Sequence, residues 1–461
     1  MQGEYRGDFT RDTFDPAKRF SRVLMQQGRA LLDADWNTQV SITLHYLRSL
    51  AEDLIGEHGG RGDGFKIAQV TQPPNKLDFK IMKGYYYVKG WLCKTKDQDY
   101  SKQPGYPFPD SIDSGLDTAK KYLVYLDVWE RHITYLEDDS IREVALGGPD
   151  TATRAQLMCQ VKVKEISAER ANTDFKVNHS DFFMEIKEHA KPTSGRLRAR
   201  AKREQKDDEP CAISPESRFR GAENQLYRVE IHRSGENGET GNATFKWSRE
   251  NGSIVFPIRS LGGVKVTLAH LGRDAGSSLQ VNDWVEIVDD DLALQGKAGP
   301  LRQVESIDLV EMSVTLKNPG TLTSYTESSA KHPLLRRWDH QGDGLEDGLK
   351  LKEGDGEDDN NWLALEDGIQ IQFPPAQGGQ TNTYRSGDYW LIPARVATGD
   401  VEWAVERNAD GTVMTYPNSS DPIPEAKEPH GIKHFYAPLA KIDGATASLT
   451  PLRRMIIQLW N

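Results

Sequence analysis

Two aspartates lie beside an aromatic residue and an amide in the stretch Asp33-Ala34-Asp35-Trp36-Asn37. A pair of carboxylates can act as general acid and base or hold a metal ion. Residues two apart diverge on a helix and share a face on a strand, so neither case pairs the two groups without distant partners. We therefore predict that they cap or begin a helix, where carboxylates meet free N–H groups. An interface salt bridge is the alternative.

Two acidic stretches, Asp289-Asp290-Asp291 and residues 355–361, carry the hard oxygen ligands that suit calcium. The second stretch lacks the ligand order of an EF-hand, and a solvated acidic loop is the favoured interpretation. His430 and His434 are four residues apart, but Gly431 opposes a helix that would bring them onto one face. We predict neither a metal site nor another cofactor.

No nucleophile elbow, P-loop or dinucleotide-binding fingerprint occurs in the sequence, so we predict no catalytic residues and no enzymatic activity. The basic run RLRARAKR at 196–203 alternates arginine with small or apolar residues, which aligns three guanidiniums on one side of a strand. Acidic residues 207–209 follow it closely. This order favours ion pairs within the chain or with a partner protein.

Arginine, glutamate, asparagine and tyrosine are dense between residues 218 and 228. They could line a substrate cleft, but we favour a buried hydrogen-bond network that fixes one β module on another. The members of this predicted network are Arg218, Arg220, Glu223, Asn224, Tyr227 and Arg228.

One long helix is predicted near the start of the chain, because apolar residues recur there at steps of three and four. These residues are Trp36, Val40, Leu44, Leu47, Ala51 and Leu54. The helix is expected to span about 22 residues, or about 33 Å, and to end at Gly56. Asp15 and Pro16 mark the start of a shorter helix upstream.

The pattern of residues after 64 predicts a mainly β structure. We expect several small antiparallel barrels or sandwiches in series, following the N-terminal helical docking segment. Asn251-Gly252 predicts a hairpin within 243–258, since both positions tolerate positive φ. Residues 79–92 predict two short strands hinged at Gly84, and 122–137 predict a strand pair. Further strands are expected in 155–166, 224–232, 281–291, 301–316, 365–373, 387–396 and 434–442.

Six segments follow from these patterns. They are an N-terminal arm and amphipathic helix (1–62), a first β module (63–167), a polar and basic linker (168–216), a central β module (217–335), an acidic Gly/Asp-rich loop that is exposed and mobile (336–362) and a C-terminal β module (363–461).

The chain has 461 residues and a net charge of −11, which gives no general attraction to nucleic acid or anionic lipid. No apolar run approaches the roughly 20 residues that a transmembrane helix needs, and the N-terminus shows no signal peptide. Three scattered cysteines, Cys93, Cys159 and Cys211, indicate a reducing compartment. We expect synthesis in the cytoplasm.

The stretch GDFTRDTFDPAKRFSRVLMQQGRALLDADWNTQ resembles the N-terminus of the bacterial family called domain of unknown function 6519. The likeness continues through EVALGGPDTATRAQ, RGAENQLYRVEIH, ATFKWSRENGSIVFPI, LEDGIQIQF and GDYWLIPAR. Members are often encoded with contractile injection systems, which are phage-tail-like particles. The opening segment is also similar to the regions that attach fibres or accessory subunits to phage baseplates.

This resemblance implies a non-enzymatic structural component of such a particle, associated with the baseplate or a fibre. Its partners would be baseplate, spike or fibre proteins, and it would form a trimer or hexamer. The particle would be cytoplasmic, membrane-attached or released. The resemblance places the docking surface on Phe9, Phe14, Pro16, Phe20, Leu24, Gly28, Asp35, Trp36 and Asn37.

Two alternative functions stay open from the sequence. The first is a carbohydrate-binding or carbohydrate-active β protein, in which exposed aromatic rings stack on sugars. The rings considered for this role are Tyr85, Tyr86, Trp91 and Trp390. The second is a membrane- or surface-anchoring accessory module of the same particle.

Overall fold

The computed structural model describes residues 4–456 except 72–76, 107–115, 147–149, 176–178, 187–192, 203–217, 237–242, 273, 275, 319–330, 343, 377, 379 and 418. The helices are α1 (Asp33–Ile55), α2 (His179–Glu185) and α3 (Asp290–Gln295). The strands are β1 (His58–Gly59), β2 (Ile67–Thr71), β3 (Asp78–Ile81), β4 (Gly84–Val88), β5 (Trp91–Thr95), β6 (Gln98–Asp99), β7 (Lys121–Ile133), β8 (Arg154–Ile166), β9 (Arg198–Ala201), β10 (Gln225–Arg233), β11 (Gly235–Glu236), β12 (Thr244–Ser248), β13 (Val255–Gly262), β14 (Lys265–Leu268), β15 (Trp284–Val288), β16 (Leu301–Asp308), β17 (Ser313–Leu316), β18 (Leu334–Trp338), β19 (Leu349–Lys350), β20 (Leu363–Ala364), β21 (Ile369–Gln372), β22 (Thr383–Tyr384), β23 (Tyr389–Arg395), β24 (Asp400–Val401), β25 (Phe435–Asp443) and β26 (Ser448–Pro451).

The first β region, here called the first body, contains three antiparallel sheets around one apolar core. Their strand orders are β26-β25-β7-β8, β1-β4-β5 and β2-β3-β6. The long strands β7 and β8 pair along their whole length. β-branched and aromatic residues on β7, such as Val124 and Tyr125, are fully buried, which explains why this segment forms a central strand.

Strand β25 belongs to the first body although it is about 300 residues further along the chain. It pairs antiparallel with β7, Phe435 opposite Val128 and Asp443 opposite Lys121. The ranges 63–167 and 363–461 therefore share a sheet instead of forming two modules in series.

The central region packs a five-stranded sheet, β19-β12-β10-β23-β24, against the three-stranded sheet β20-β21-β9. The two sheets bury Val229, Ile231, Trp247, Ile371 and Trp390 between them. A two-stranded ribbon of β11 and β22 lies alongside.

Between β12 and β23 the chain forms a closed antiparallel barrel of strands β13-β14-β17-β16-β15-β18. Pairing of β13 with β18 closes it, and closure removes the exposed strand edges of an open sheet. Its interior is filled by apolar residues including Val266, Val285, Val304 and Leu335. The prediction of a mainly β fold with an N-terminal helix is thus confirmed.

The predicted hairpin at Asn251-Gly252 is wrong, although its turn is present. Both residues have positive φ, 53° and 66°, as the sequence predicts. The strands on either side do not pair with each other: β12 joins the central sheet and β13 joins the barrel. The turn passes the chain from one region to the next.

Two other predictions in the β regions need correction. Residues 122–137 do not form a strand pair, because β7 runs straight from Lys121 to Ile133 with no turn residue to break it. Gly84 does begin a new strand, but β3 and β4 belong to different sheets.

The predicted linker and acidic loop both contain ordered structure. In the linker range, Phe175, Phe182 and Ile186 are fully buried against the first body, while residues 203–217, with the acidic group 207–209 and Cys211, lie outside the described residues. The acidic range is not one exposed loop, since it includes the end of β18, all of β19 and the buried Leu351.

No helix among the described residues is long and apolar enough to cross a membrane.

Candidate functional site

The first residues of the N-terminal arm are fixed to the body by polar contacts. The Tyr5 hydroxyl donates to Glu130 on β7 at 2.5 Å. The Arg6 guanidinium donates to both carboxylate oxygens of Glu230 on β10, at 2.9 and 3.0 Å. Both bonds come from the same nitrogen, Nη2, and a charge-assisted hydrogen bond of this kind is stronger than a neutral one. The arm therefore starts from a defined point between the first body and the central sheet.

The Arg6 contact opens a chain of buried charges that reaches the barrel. Lys246 on β12 lies 3.3 Å from Glu230 and 2.6 Å from Glu286 on β15. Burial alone would raise the pKa of Glu230, but Arg6, Arg228 and Lys246 outweigh it and hold the pKa well below its usual range. Glu230 is thus an ionised carboxylate. It binds the arm through Arg6 and the central sheet through Arg228, and Lys246 links it to Glu286 of the barrel.

Arg228 and Asn251 bind the arm through its backbone. The Arg228 Nη1 atom donates to the Tyr5 carbonyl at 3.1 Å. The Asn251 amide donates to the carbonyls of Tyr5 and Gly7, at 3.2 and 2.9 Å. The Asn-Gly turn, predicted from its backbone alone, is therefore also a binding site for the arm.

The predicted network at 218–228 divides in two. Tyr227 and Arg228 are fully buried; the Tyr227 hydroxyl donates to Gln225 and Glu366, and Arg228 lies 3.6 Å over the Tyr389 ring. Asn224 is exposed but accepts from the Val396 N–H at 3.0 Å. Arg218, Arg220 and Glu223 lie at the surface end of the segment.

Further along the arm, Phe9 contacts the central sheet and Phe14 contacts α1. Phe9 packs against Leu226, Tyr389 and Leu391, and Phe14 lies 5.9 Å from His45 on α1.

The first turn of α1 is bound to the arm through Asp33. This carboxylate accepts from the Thr10 N–H at 2.9 Å. Burial by itself raises the pKa of Asp33, yet the Thr10 hydrogen bonds lower it below its ordinary value. Asp33 and Asp35 both lie in the first turn of α1, as predicted, while the cap position is Leu32.

The buried residues of helix α1 form one row, Ala34, Thr38 and Ile42, and the Thr38 hydroxyl is hydrogen-bonded to Thr13 of the arm. The Arg48 guanidinium stacks over the Trp91 ring at 3.2 Å and donates to Glu130 at 3.1 Å. The same carboxylate accepts from Tyr5, so Glu130 joins the arm and the helix to one strand.

The opposite face of α1 is apolar and lies in solvent. Trp36 is 75 % exposed, Leu47 58 % and Leu54 77 %. The arm adds Phe20 and Leu24, which are 58 % and 69 % exposed. We call this surface the apolar stripe: Phe20, Leu24, Met25, Leu31, Leu32, Trp36, Val40, Leu44, Tyr46, Leu47, Leu50 and Leu54. The predicted amphipathic helix exists, but its apolar side faces away from the core.

The residues that the resemblance assigned to docking fall into two groups. Phe9 and Phe14 are half-buried within the chain, as are Asp35 and Asn37. The exposed group is Pro16, Phe20, Leu24, Gly28 and Trp36. Pro16 begins a 3-10 turn, Pro16–Lys18, in place of the predicted short helix. Gly28 has a φ of 70°, and no atom lies within 4 Å of the position that a Cβ would take there. It forms a turn in the exposed arm.

A polar cavity of about 290 Å³ lies where the first body, central sheet and barrel meet. Several charged groups in its wall are paired with one another. Asp127 binds Lys162 and His434, each at 2.7 Å, and Asp290 binds Arg131 at 2.5 Å. Sequence reasoning missed this cavity, because its lining comes from segments far apart in the chain.

Two carboxylates with shifted pKa values lie between the central sheet and the barrel. Burial and, to a smaller extent, the nearby Asp339 raise the pKa of Glu250 to about 7. Burial likewise raises the pKa of Glu366 to about 7. Each accepts from an arginine, Glu250 from Arg337 at 3.1 Å and Glu366 from Arg249 at 2.8 Å. These groups change charge near neutral pH, which no sequence motif revealed.

The alternating arginines of the basic run pair within the chain. Arg198 and Arg200 on β9 bind Asp355 and Asp359 of the acidic range, both at 2.6 Å, and Arg196 lies 3.3 Å from Glu428. The prediction of charge pairing is confirmed in its intramolecular form. Arg203 lies outside the described residues.

The three consecutive aspartates at 289–291 each have a separate partner. Asp289 caps α3 by accepting from Leu292 N–H at 2.9 Å, Asp290 binds Arg131 and His332, and Asp291 binds Lys331. In the part of the chain that the structure describes, no group of three His, Cys, Asp or Glu side chains is placed to hold a metal ion.

Of the four aromatic residues considered for sugar stacking, Tyr86, Trp91 and Trp390 are buried in the cores, and Tyr85 alone of the four is exposed. The expectation of an exposed aromatic platform built from these four residues is therefore wrong.

The fold and this surface define a mainly β protein with an anchored N-terminal arm and an outward-facing apolar helix. The chain belongs to the family of unknown function DUF6519, whose model matches residues 5–180 and 183–445. No curated protein and no solved structure matches the chain significantly.

Proposed function

We propose that this protein is a non-enzymatic structural component of a contractile injection system and joins neighbouring subunits through the apolar stripe of its arm and α1. The observation that carries the proposal is the stripe itself. Single exposed apolar residues are ordinary on protein surfaces, but a row of them along one face of a helix marks an interaction site.

The polar contacts of Tyr5 and Arg6 support the same proposal. They hold the beginning of the arm while residues 16–22 and 24–32 stay exposed. An anchored arm loses less conformational entropy on binding than a free tail, so a partner can bind it more tightly. The resemblance of the opening segment to baseplate attachment regions also supports the proposal.

Replacement of the exposed arm residues tests this function. The variant Phe20→Ser/Leu24→Ser leaves the anchors at residues 5–14 intact, whereas deletion of residues 1–30 would leave Glu230 without Arg6. We expect the variant to fold normally and to be lost from particles purified from cells expressing the complete gene cluster. Quantitative immunoblotting of purified particles measures incorporation.

The matched control is Leu309→Ser/Val310→Ser, which removes two exposed apolar residues from a barrel turn. This variant should be incorporated like the wild type. Full incorporation of the arm variant, or equal loss of both variants, would overturn the proposed docking role.

A further inference from the structure

Five exposed apolar residues of α1 and one exposed threonine follow a coiled-coil spacing. Trp36, Val40, Thr43, Leu47, Leu50 and Leu54 succeed one another at steps of 4, 3, 4, 3 and 4 residues, and all six are exposed. This alternation is the a/d pattern with which one helix packs against another. We call these six residues the α1 seam. Its spacing indicates a helix as the partner, not a strand edge or a flat sheet.

The body does not obstruct the α1 seam. At 100° per residue, Ala34, Thr38 and Ile42 lie on the side of α1 opposite to the seam, and these three are the buried residues of the helix. The arm contacts one flank of the seam, where the Val23 N–H donates to Gln39 at 2.8 Å. The six seam residues are exposed, so a second helix can approach along the seam, about 27 Å from Trp36 to Leu54.

The positions beside the seam favour a second copy over a different protein. Coiled coils between different chains select their partners through charged residues at the flanking e and g positions. Here those positions are Asn37, Leu44 and Ala51 on one side and Gln39, Tyr46 and Asp53 on the other. Asp53 is the single charge among them, so an identical helix meets little repulsion.

The seam is also complementary to its own reverse. In an antiparallel pair centred on His45, residue 36 faces residue 54 of the other copy, 40 faces 50 and 43 faces 47. Each layer then combines a larger with a smaller side chain: Trp with Leu, Leu with Val, and Leu with Thr. A twofold interface requires this self-complementarity, and a parallel pair would instead stack Trp36 on Trp36 and Thr43 on Thr43.

We propose that the α1 seam binds the α1 seam of a second copy of this chain in an antiparallel, twofold pair. This inference rests on the proposed function for the purpose of the pair, but it concerns the purified protein alone. The two bodies lie on opposite sides of the helix pair, and the arm residues Phe20 and Leu24 are not part of the seam.

The first experiment measures the mass of the full chain by light scattering and analytical ultracentrifugation over a range of concentrations. We expect a dimer for the wild type, and self-association weaker by roughly 100-fold for Leu47→Asp, because a charge would be buried in the central layer. The control Leu309→Asp, on the barrel, should dimerise like the wild type. A monomeric wild type, or dimers unaffected by Leu47→Asp, would overturn the proposal.

The second experiment tests orientation by disulfide formation in a background with Cys159→Ser and Cys211→Ser. A mixture of Trp36→Cys and Leu54→Cys chains should cross-link, because these positions face each other. Neither variant alone should cross-link, since like positions would be about 27 Å apart along the antiparallel pair. Efficient cross-linking of Trp36→Cys alone would overturn the antiparallel arrangement.

These outcomes separate this proposal from the proposed function. A monomer whose incorporation into particles depends on Phe20 and Leu24 would overturn the helix pair and leave the structural role intact. A dimer that particles never contain would do the reverse.

Discussion

The two ends of the N-terminal segment are built in opposite ways. At its beginning, Arg6 and Glu230 form an ion pair with buried neighbours. At its end, α1 leaves Trp36, Leu47 and Leu54 in water. Charge is inside and apolar surface is outside, which reverses the usual distribution.

The two parts of the segment make different contributions. Buried ion pairs add little net stability relative to apolar packing, but they define one geometry because any misplacement leaves an unpaired charge. Exposed apolar side chains give nothing to the isolated chain and gain free energy when a partner covers them. We infer that the first part orients the arm and the second part binds.

We expect the largest loss of stability when the buried ion pairs of Glu230 are removed. Glu230→Ala leaves Arg6, Arg228 and Lys246 without their shared carboxylate, and we expect a loss of about 3–5 kcal/mol in the free energy of unfolding. Chemical denaturation followed by tryptophan fluorescence measures it.

The control for Glu230 is Glu402→Ala, which removes a half-exposed carboxylate bound to Arg11 and Arg395. Solvent screens these pairs, so the loss should be at most about 1 kcal/mol. Equal losses for the two variants would show that burial of the Arg6 pair has no special role.

A second prediction concerns the pH dependence of the buried carboxylates. The pKa of Glu366 is raised from 4.5 to about 7 in the folded chain, so the folded state holds a proton that the unfolded state releases. Its contribution is complete below pH 4.5 and is lost as the pH rises through about 7. We expect wild-type stability to fall relative to Glu366→Gln by about 1–3 kcal/mol between roughly pH 5 and pH 8.

Denaturation midpoints across this pH range measure the effect, and Glu402→Gln is the control of opposite sign. The pKa of Glu402 is lowered, chiefly by hydrogen bonds from Arg11 and Arg395 that outweigh its burial. Its contribution should instead be lost as the pH falls through its lowered folded pKa. A parallel response of the two variants would contradict the assigned pKa directions.

A third prediction compares two arginines of the basic run. Arg200 is buried, donates to Gln370 at 2.9 Å and lies 4.0 Å over the Trp362 ring, whereas Arg196 is exposed. We expect Arg200→Met to cost about 1–3 kcal/mol of unfolding free energy. Arg196→Met should change it by less than about 0.5 kcal/mol. Thermal and chemical denaturation of both variants decide whether burial separates them.

We expect the smallest change in stability when an exposed residue of the apolar stripe is replaced. Leu47→Gln should change the stability of the monomeric chain by no more than about 0.5 kcal/mol, because Leu47 has no core contacts to lose. Denaturation at concentrations where both proteins are monomeric measures this. A loss of several kcal/mol would mean that the stripe packs within the chain.

Local features were predictable from the sequence because they depend on neighbouring residues. The period of apolar residues predicted α1 within a residue of its observed length, Asp33–Ile55. The types Asn and Gly predicted the positive φ of residues 251 and 252. The same information could not tell that β12 and β13 enter different regions, since turn chemistry does not select the partners of a strand.

The functional surface was predictable only in part. The sequence identified Phe20, Leu24 and Trp36 as exposed candidates, but it could not distinguish them from Phe9, which fills a site between Leu226 and Tyr389. Nor did any motif mark Glu130 or Glu230 as the anchors of the arm, because each lies in an ordinary strand more than 100 residues away.

The helix, the steps of three and four between its apolar residues and the β character of most of the chain could be predicted from the sequence, since they follow from short-range periodicity. Three features became known only from the folded chain: which side of α1 faces the body, which acid each arginine of the arm and basic run pairs with, and how β25 returns to β7. The physical reason is that burial and charge pairing depend on segments that meet only after folding, at sequence separations where local pattern carries no information.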